Sequence, residues 1–269
     1  MRRGYREATV IGTGSLDPHV NPGMDNQTHR IDIIGVAADA TTAQQRQRHS
    51  RELLQDDRSH HVALLSFWGL IRARNRAEYR LFLSQASQIL TTSRLVAWGA
   101  RALGRKIPEV ERPFDVAIRY LSLAEQLKQS VYLVGGDKRV LLQAERNLRD
   151  SFPRLQIVGR FAGHYPPALQ DDILEAISKA TPALLLVGPD VPGNELWLMR
   201  HKRQLPACVG LWVGDCFDIF AGRRPSKPTR MERFSRGMKS LLTHPWRFGR
   251  IVALLYYVIV LLVYRIRGL

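Results

Sequence analysis

This sequence predicts a Rossmann-like, doubly wound α/β fold: a mostly parallel sheet with helices on both faces, extended by a basic and apolar C-terminal tail. Three observations predict it. Short aliphatic and β-branched runs alternate with segments of helical spacing from about residue 31 to residue 222, the signature of strands joined by helical crossovers. The runs have the length and composition of strands buried in a parallel sheet. Finally, residues 183–222 hold two such runs, 183–187 (ALLLV) and 208–213 (CVGLWV), each closed by glycine. Between these two runs Leu196, Trp197, Met199 and Arg200 fall at helical spacing. Ligands of such sheets bind beyond the carboxyl ends of the strands, so residues 188–195 and 214–218 are expected side by side at one mouth.

The elements follow in order. Residues 1–30 are polar and aperiodic and read as a flexible lead. Residues 31–37 (IDIIGVA) form the first expected strand, and 39–57 a polar helix begun by Asp and Thr capping candidates. A strand at 62–66 precedes a helix at 75–86 with Tyr79, Phe82 and Leu83 on one face. Next come a strand at 89–92, a helix at 95–103 closed by Gly104, and a helix at 113–129 opened by Pro113. Residues 131–134 make a strand, Gly135 and Gly136 a turn, and 137–150 a helix. Strand, glycine turn and helix N-terminus can cradle a phosphate, although paired glycines serve equally well simply to turn the chain. Residues 155–161 form a further strand, and Pro166 and Pro167 open a helix at 168–180. The expected division is a lead at 1–30, an α/β domain at 31–222 and a C-terminal appendage at 223–269.

Charge and cysteine usage narrow the class. The net charge is +16, and residues 223–269 carry eleven Lys and Arg against Glu232 alone. Such an excess asks for a polyanionic partner. Residues 251–264 (IVALLYYVIVLLVY) are uncharged and bracketed by Arg250, Arg265 and Arg267, which favours an anionic membrane face over nucleic acid, for which no recognition motif is present. Fourteen helical residues cover about 21 Å, short of the roughly 30 Å hydrocarbon core, so shallow or re-entrant insertion is expected, with a short spanning anchor as the alternative and a buried core helix as a third. Cys208 and Cys216 read as reduced thiols, and the eight histidines show no metal-ligand spacing. No metal or cofactor is expected. The first residues lack the apolar run of a signal peptide, so the fold is expected on the cytoplasmic side.

The segment VGPDVPGNELW at 187–197 resembles the VGxGxPxQExW signature of the WecG/TagA/CpsF glycosyltransferases, and VGDCFDIFAG at 213–222 resembles their VGxxFDxxAG signature. WGARALGRKIPE at 98–109 is similar to their WxARLLGRPLPE run, and Gly163, His164 and Tyr165 to their GYF turn. The resemblance implies an inverting transfer of a sugar from a UDP-sugar donor to a polyprenyl-diphosphate-linked glycan at the membrane, and a possible homo-oligomer.

Such a transfer needs a base for the acceptor hydroxyl and stabilisation of the leaving UDP. The family's presumed base is the Asp of a PDG motif, which falls here on Thr92, and its early TxN asparagine falls near Ser66. Threonine is no substitute for that base, so Asp190, Asp215 and Asp115 are the replacement candidates. The resemblance implies donor contacts for Gly135, Gly136, Gly188, Asn194, Glu195 and Asp218. It implies contacts to the acceptor diphosphate or the membrane for Arg101, Arg105, Arg223, Arg224, Lys227 and Arg230. Two functions stay open: a membrane-associated transferase of polysaccharide or cell-envelope assembly, or a non-catalytic relative that binds a nucleotide sugar or scaffolds other transferases.

Overall fold

The computed structural model describes residues 30–106, 108–225 and 248–267, the last with side chains from Val252. The lead at 1–29, Lys227 and Arg230 lie outside them. Six strands form one parallel sheet: β3 (His60–Leu65), β4 (Gln88–Thr91), β5 (Ser130–Val134), β6 (Gln156–Phe161), β7 (Leu184–Val187) and β8 (Val209–Trp212), in the order β4-β3-β8-β7-β5-β6. Parallel pairing demands crossovers, and ten helices among the described residues supply or flank them.

Alternate side chains of the strands enter different cores, except at the edge strand β6, where Gln156, Val158 and Arg160 are exposed. Val62, Val131, Leu133, Leu184, Leu186, Val209 and Leu211 pack against α1 (Ala43–Gln55), α5 (Pro113–Gln126), α6 (Lys138–Ser151) and α9 (Cys216–Phe220). On the opposite face Ala63, Leu65 and Ile89 meet α2 (Phe67–Asn75), α3 (Ala77–Ser84) and α4 (Arg94–Ala102). Tyr132, Val134, Leu185 and Val187 there meet α7 (Gln170–Ala180) and α8 (Leu196–Arg200). Strands covered on both faces need no polar alternation.

Three local readings are corrected. Residues 31–37 are not one strand. They turn at Ile34 and Gly35, both at positive φ (52° and 82°), into a hairpin of β1 (Arg30–Ile33) and β2 (Val36–Asp39). Positive φ at both turn residues is the two-residue hairpin geometry, and Gly35 supplies half of it without steric cost. The hairpin docks beside β4, where the Ile89 amide donates to Asp39 Oδ2 at 2.8 Å. The helix expected at 75–86 is α3 alone, and α2 precedes it, capped by Ser66, whose Oγ accepts from the Gly69 amide at 3.0 Å. The helix at 39–57 is trimmed to α1 by a capping box between Thr42 and Gln45.

The apolar tail residues 251–264 belong to α10 (Phe248–Arg267), a helix of 20 residues. One face is part of the core: Tyr257, Val260 and Leu261 are buried, and the Tyr257 hydroxyl donates to the Leu95 carbonyl at 3.0 Å. Val252, Leu255, Ile259, Leu262 and Ile266 face outward and are exposed. Among the described residues no helix is long and apolar enough to cross a membrane. Of the three readings of the tail, the spanning anchor therefore finds no support, and the core-helix reading holds for one face.

Contact between α4 and α10 depends on Gly99, where an added Cβ would lie 1.8 Å from the Tyr257 hydroxyl. Gly99→Ala is expected to destabilise the full-length protein by about 1–3 kcal/mol through overpacking, read as a lowered urea midpoint in detergent. An unchanged midpoint would show that α10 does not dock on α4.

Candidate functional site

A cavity of about 440 Å³ opens beyond the carboxyl ends of β3, β4 and β8, within the size range of small-molecule sites. Leu64, Phe82, Phe114 and Ile219 give it apolar walls, and Ser66, Tyr79, Thr92, Arg112, Glu195 and Asp215 its polar groups. Thr92 is carried to the rim by its amide, which donates to the Leu65 carbonyl at 2.9 Å and so ties the end of β4 to the end of β3. Arg112 arrives from the segment before α5 and Phe114 from the first turn of α5. That segment is drawn in by the Glu111 amide donating to the Thr91 carbonyl at 2.9 Å, and by the buried Arg46 guanidinium, 2.5 Å from Glu109 and 3.4 Å from Glu111.

The two carboxylates of the cavity have different surroundings. Glu195 is 16% exposed and paired with Arg72 of α2. Its position is set next door by Trp197, fully buried, whose indole N–H donates to the Tyr165 hydroxyl at 3.0 Å, which in turn donates to Gln170 at 2.8 Å. Burial, and then the Glu195 carboxylate beside it, push the Tyr79 phenol well above its ordinary range, so it remains a hydrogen-bond donor to Glu195. Asp215, 65% exposed, follows the turn at Gly214 and is paired with Arg224. Arg224 Nε also lies 3.7 Å from Asp218, and the amides of Arg223 and Arg224 donate to the Asp218 carbonyl. Cys216 lines the same wall, but burial pushes its thiol up to about 12, which rules it out as a thiolate nucleophile at neutral pH.

The remaining predicted residues are distributed around this centre. Asp190, at φ 70°, is exposed and does not line the cavity. Asp115 is held by Arg112 in a two-bond pair with both contacts at 2.6 Å. Asn194 lines an adjoining groove instead, and Arg101 and Arg105 are exposed away from both.

The glycines act as a packing joint. A Cβ on Gly135 would lie 2.7 Å from the Gly188 backbone, one on Gly188 2.4 Å from the Phe217 ring, and one on Gly163 2.4 Å from the Pro189 carbonyl. The Gly135 amide donates to Phe161 and the Gly136 amide to Pro189, while Asp137 caps Arg139 and Val140 at the start of α6. The amides expected to cradle a phosphate are thus engaged within the chain.

Sequence reasoning missed Arg72 and Arg112 as site residues. The signal for Arg72 was available in Ser66, a helix cap ahead of an apolar run. Nothing local marks Arg112, which is brought in by Arg46 from α1.

Residues 31–269 match the family described as glycosyl transferase WecG/TagA/CpsF. The chain is 26% identical over 187 residues to an N-acetylglucosaminyldiphosphoundecaprenol N-acetyl-beta-D-mannosaminyltransferase of Bacillus spizizenii, covering 69% of this chain and 72% of that one. It is 25% identical over 188 residues to the protein of the same name from Bacillus subtilis, with the same coverage. It is 24% identical over 207 residues to the one from Staphylococcus aureus, covering 76% and 80%.

The Arg72–Glu195 pair is half-screened by solvent on its arginine side, so its loss is expected to cost less than that of a fully buried pair. Arg72→Ala should destabilise by about 1–2 kcal/mol, and adding Glu195→Ala should recover most of that in a double-mutant cycle of urea midpoints. Additive single effects would mean that the two side chains do not interact.

Proposed function

The chain belongs to the WecG/TagA/CpsF family of glycosyltransferases, and on that premise we propose that it transfers a sugar from a UDP-sugar to a polyprenyl-diphosphate-linked glycan at the cytoplasmic face of the membrane, with Asp215 as the base. The observation that carries this reading is the convergence of both family signatures, through Glu195 and Asp215, with Thr92 on one cavity beyond the strand ends. Thr92 holds the family's aspartate position but offers only a hydroxyl. Asp215 lines the same cavity with an accessible carboxylate.

In the proposed step the acceptor hydroxyl gives its proton to Asp215 as its oxygen attacks the anomeric carbon. The bond from that carbon to the UDP oxygen breaks on the opposite face, and the configuration inverts. UDP departs with the bonding pair, its charge met by Arg224 and Arg223. Arg224 would exchange Asp215 for the donor's diphosphate, freeing the carboxylate when the donor is bound. Lys227 and Arg230 follow closely in sequence and extend the same cationic run.

Asp215→Asn is expected to lower transfer by at least a hundredfold, the usual scale for a lost general base, while calorimetry finds UDP-sugar affinity within about threefold. Transfer at the wild-type rate would remove Asp215 from the mechanism. Saturable UDP-sugar binding by a wild-type protein that transfers nothing would favour the second reading, a non-catalytic binder, which the hydroxyl at Thr92 supports.

Membrane attachment is assigned to the outer face of α10 together with Trp98 and Leu95 of α4 and Trp68 of α2, all exposed. Trp98 lies 6.5 Å from Tyr257, and Trp68 lies 5.3 Å from Phe67, itself 5.4 Å from Tyr257. Tryptophans bordering an apolar helix with flanking arginines suit a bilayer interface. The double variant Leu255→Glu, Ile259→Glu should lose at least tenfold in flotation with phosphatidylglycerol vesicles. Flotation equal to wild type would move the attachment elsewhere.

A further inference from the structure

Beside the cavity runs an open groove of about 570 Å³ between α2, α3 and α8, and Tyr79 lines both. Arg72 of α2, Arg76 at the extended junction between α2 and α3, and Arg200 of α8 all line it. Arg200 is steadied by Glu78, with Nη2 2.8 Å from Oε1. Arg76 is exposed and makes no ion pair with the described residues. Three guanidinium groups against Glu78 and the Glu195 held by Arg72 leave the groove one cation in excess, carried by Arg76. Trp68 lines it too, its ring 5.3 Å from Phe67, which packs 5.4 Å from Tyr257 of α10.

We propose that this groove seats the diphosphate of the lipid-linked acceptor, with the glycan pointing into the cavity and the prenyl chain leaving over Trp68 toward the outer face of α10. The inference rests on the transferase reading above and gives it a path. Cavity, cationic groove and apolar plate follow one another in space in the order in which sugar, diphosphate and hydrocarbon follow one another in such a molecule. Arginine forks match diphosphate oxygens through paired hydrogen bonds. Arg72 connects the two compartments. A diphosphate in the groove competes with Glu195 for Arg72, so arrival of the acceptor releases Glu195 to the glycan hydroxyls.

The test uses full-length protein in detergent, with farnesyl diphosphate as probe and farnesol as its uncharged control. Calorimetry should find saturable binding of the diphosphate but not of farnesol. Arg76→Glu should weaken that binding at least tenfold, Arg76→Lys far less, and UDP affinity should stay within twofold in both. If Arg76→Glu fails to fold, Arg200→Ala is expected to give the same selective loss. Wild-type affinity in a folded charge-reversed protein would overturn the proposal, as would absence of farnesyl diphosphate binding. One-for-one displacement of farnesyl diphosphate by UDP would also overturn it, since the groove would then hold the donor. Failure to bind any UDP-sugar while farnesyl diphosphate binds would instead sink the transferase reading and leave the groove assignment standing.

Discussion

Close backbone contact at the mouth of the sheet is the constraint on which the other features depend. Gly135, Gly163 and Gly188 meet where β5, β6 and β7 end, at separations that leave no room for a Cβ. This contact lets the Gly136 amide reach the Pro189 carbonyl at 2.6 Å and lets Phe217 lie over Gly188. From the first contact follows the course of residues 188–195, and with it the position of Glu195. From the second follows the seat of α9, and with it the position of Asp215. A methyl group added at Gly135 or Gly163 would force backbone to move, and one at Gly188 the buried Phe217 ring, both costly adjustments in a close-packed interior. The glycines thus govern the chemistry of the mouth without presenting their own amides to it.

A second tier of order comes from charged groups that are not at the site. Arg46 is nearly fully buried, yet it spans the Thr41 carbonyl, at 2.6 Å, and the carboxylates Glu109 and Glu111. A buried guanidinium is costly without partners; the hydrogen bonds of Nη1 to Thr41 and Nη2 to Glu109, with Nε at ion-pair distance from Glu111, fix the chain between α4 and α5 as the wall of the cavity. Glu109, the last residue of the run resembling WxARLLGRPLPE, thereby has a structural role. Arg101 in the same run is exposed and turned to solvent. A motif position can thus carry architecture as readily as chemistry.

How far the sequence could be read depended on how local the controlling interaction is. The six strands of the sheet were legible to within a few residues, because runs such as LLLV at Leu184–Val187 need only their own composition to be recognised. The site was legible in part. Glu195 and Asp215 were placed at the mouth by strand-end reasoning, and both line the cavity. Asp190, two residues beyond Gly188, does not, because positive φ at Asp190 and Asn194 turns the intervening loop. The hairpin at Ile34 and Gly35 was missed because a β-branched residue at positive φ runs against local preference, and its burial in the core is what holds it there. Arg72 and Arg112 enter the site through partners distant in sequence, Glu195 and the Arg46 cluster, which no local pattern reports.

The division of α10 between two environments has a thermodynamic consequence. Tyr257, Val260 and Leu261 complete a core formed by the hairpin, α2, α3 and α4, while Val252, Leu255 and Ile259 look outward. Any surface that binds the outward face only when the helix is docked also favours the docked state, by mass action. Adsorption and folding then share one equilibrium: dilution away from the surface loosens the interior, and a substitution deep beside Gly99 registers as weaker adsorption. Removing the last turns to obtain a more tractable protein would subtract from the interior as well as from the exterior.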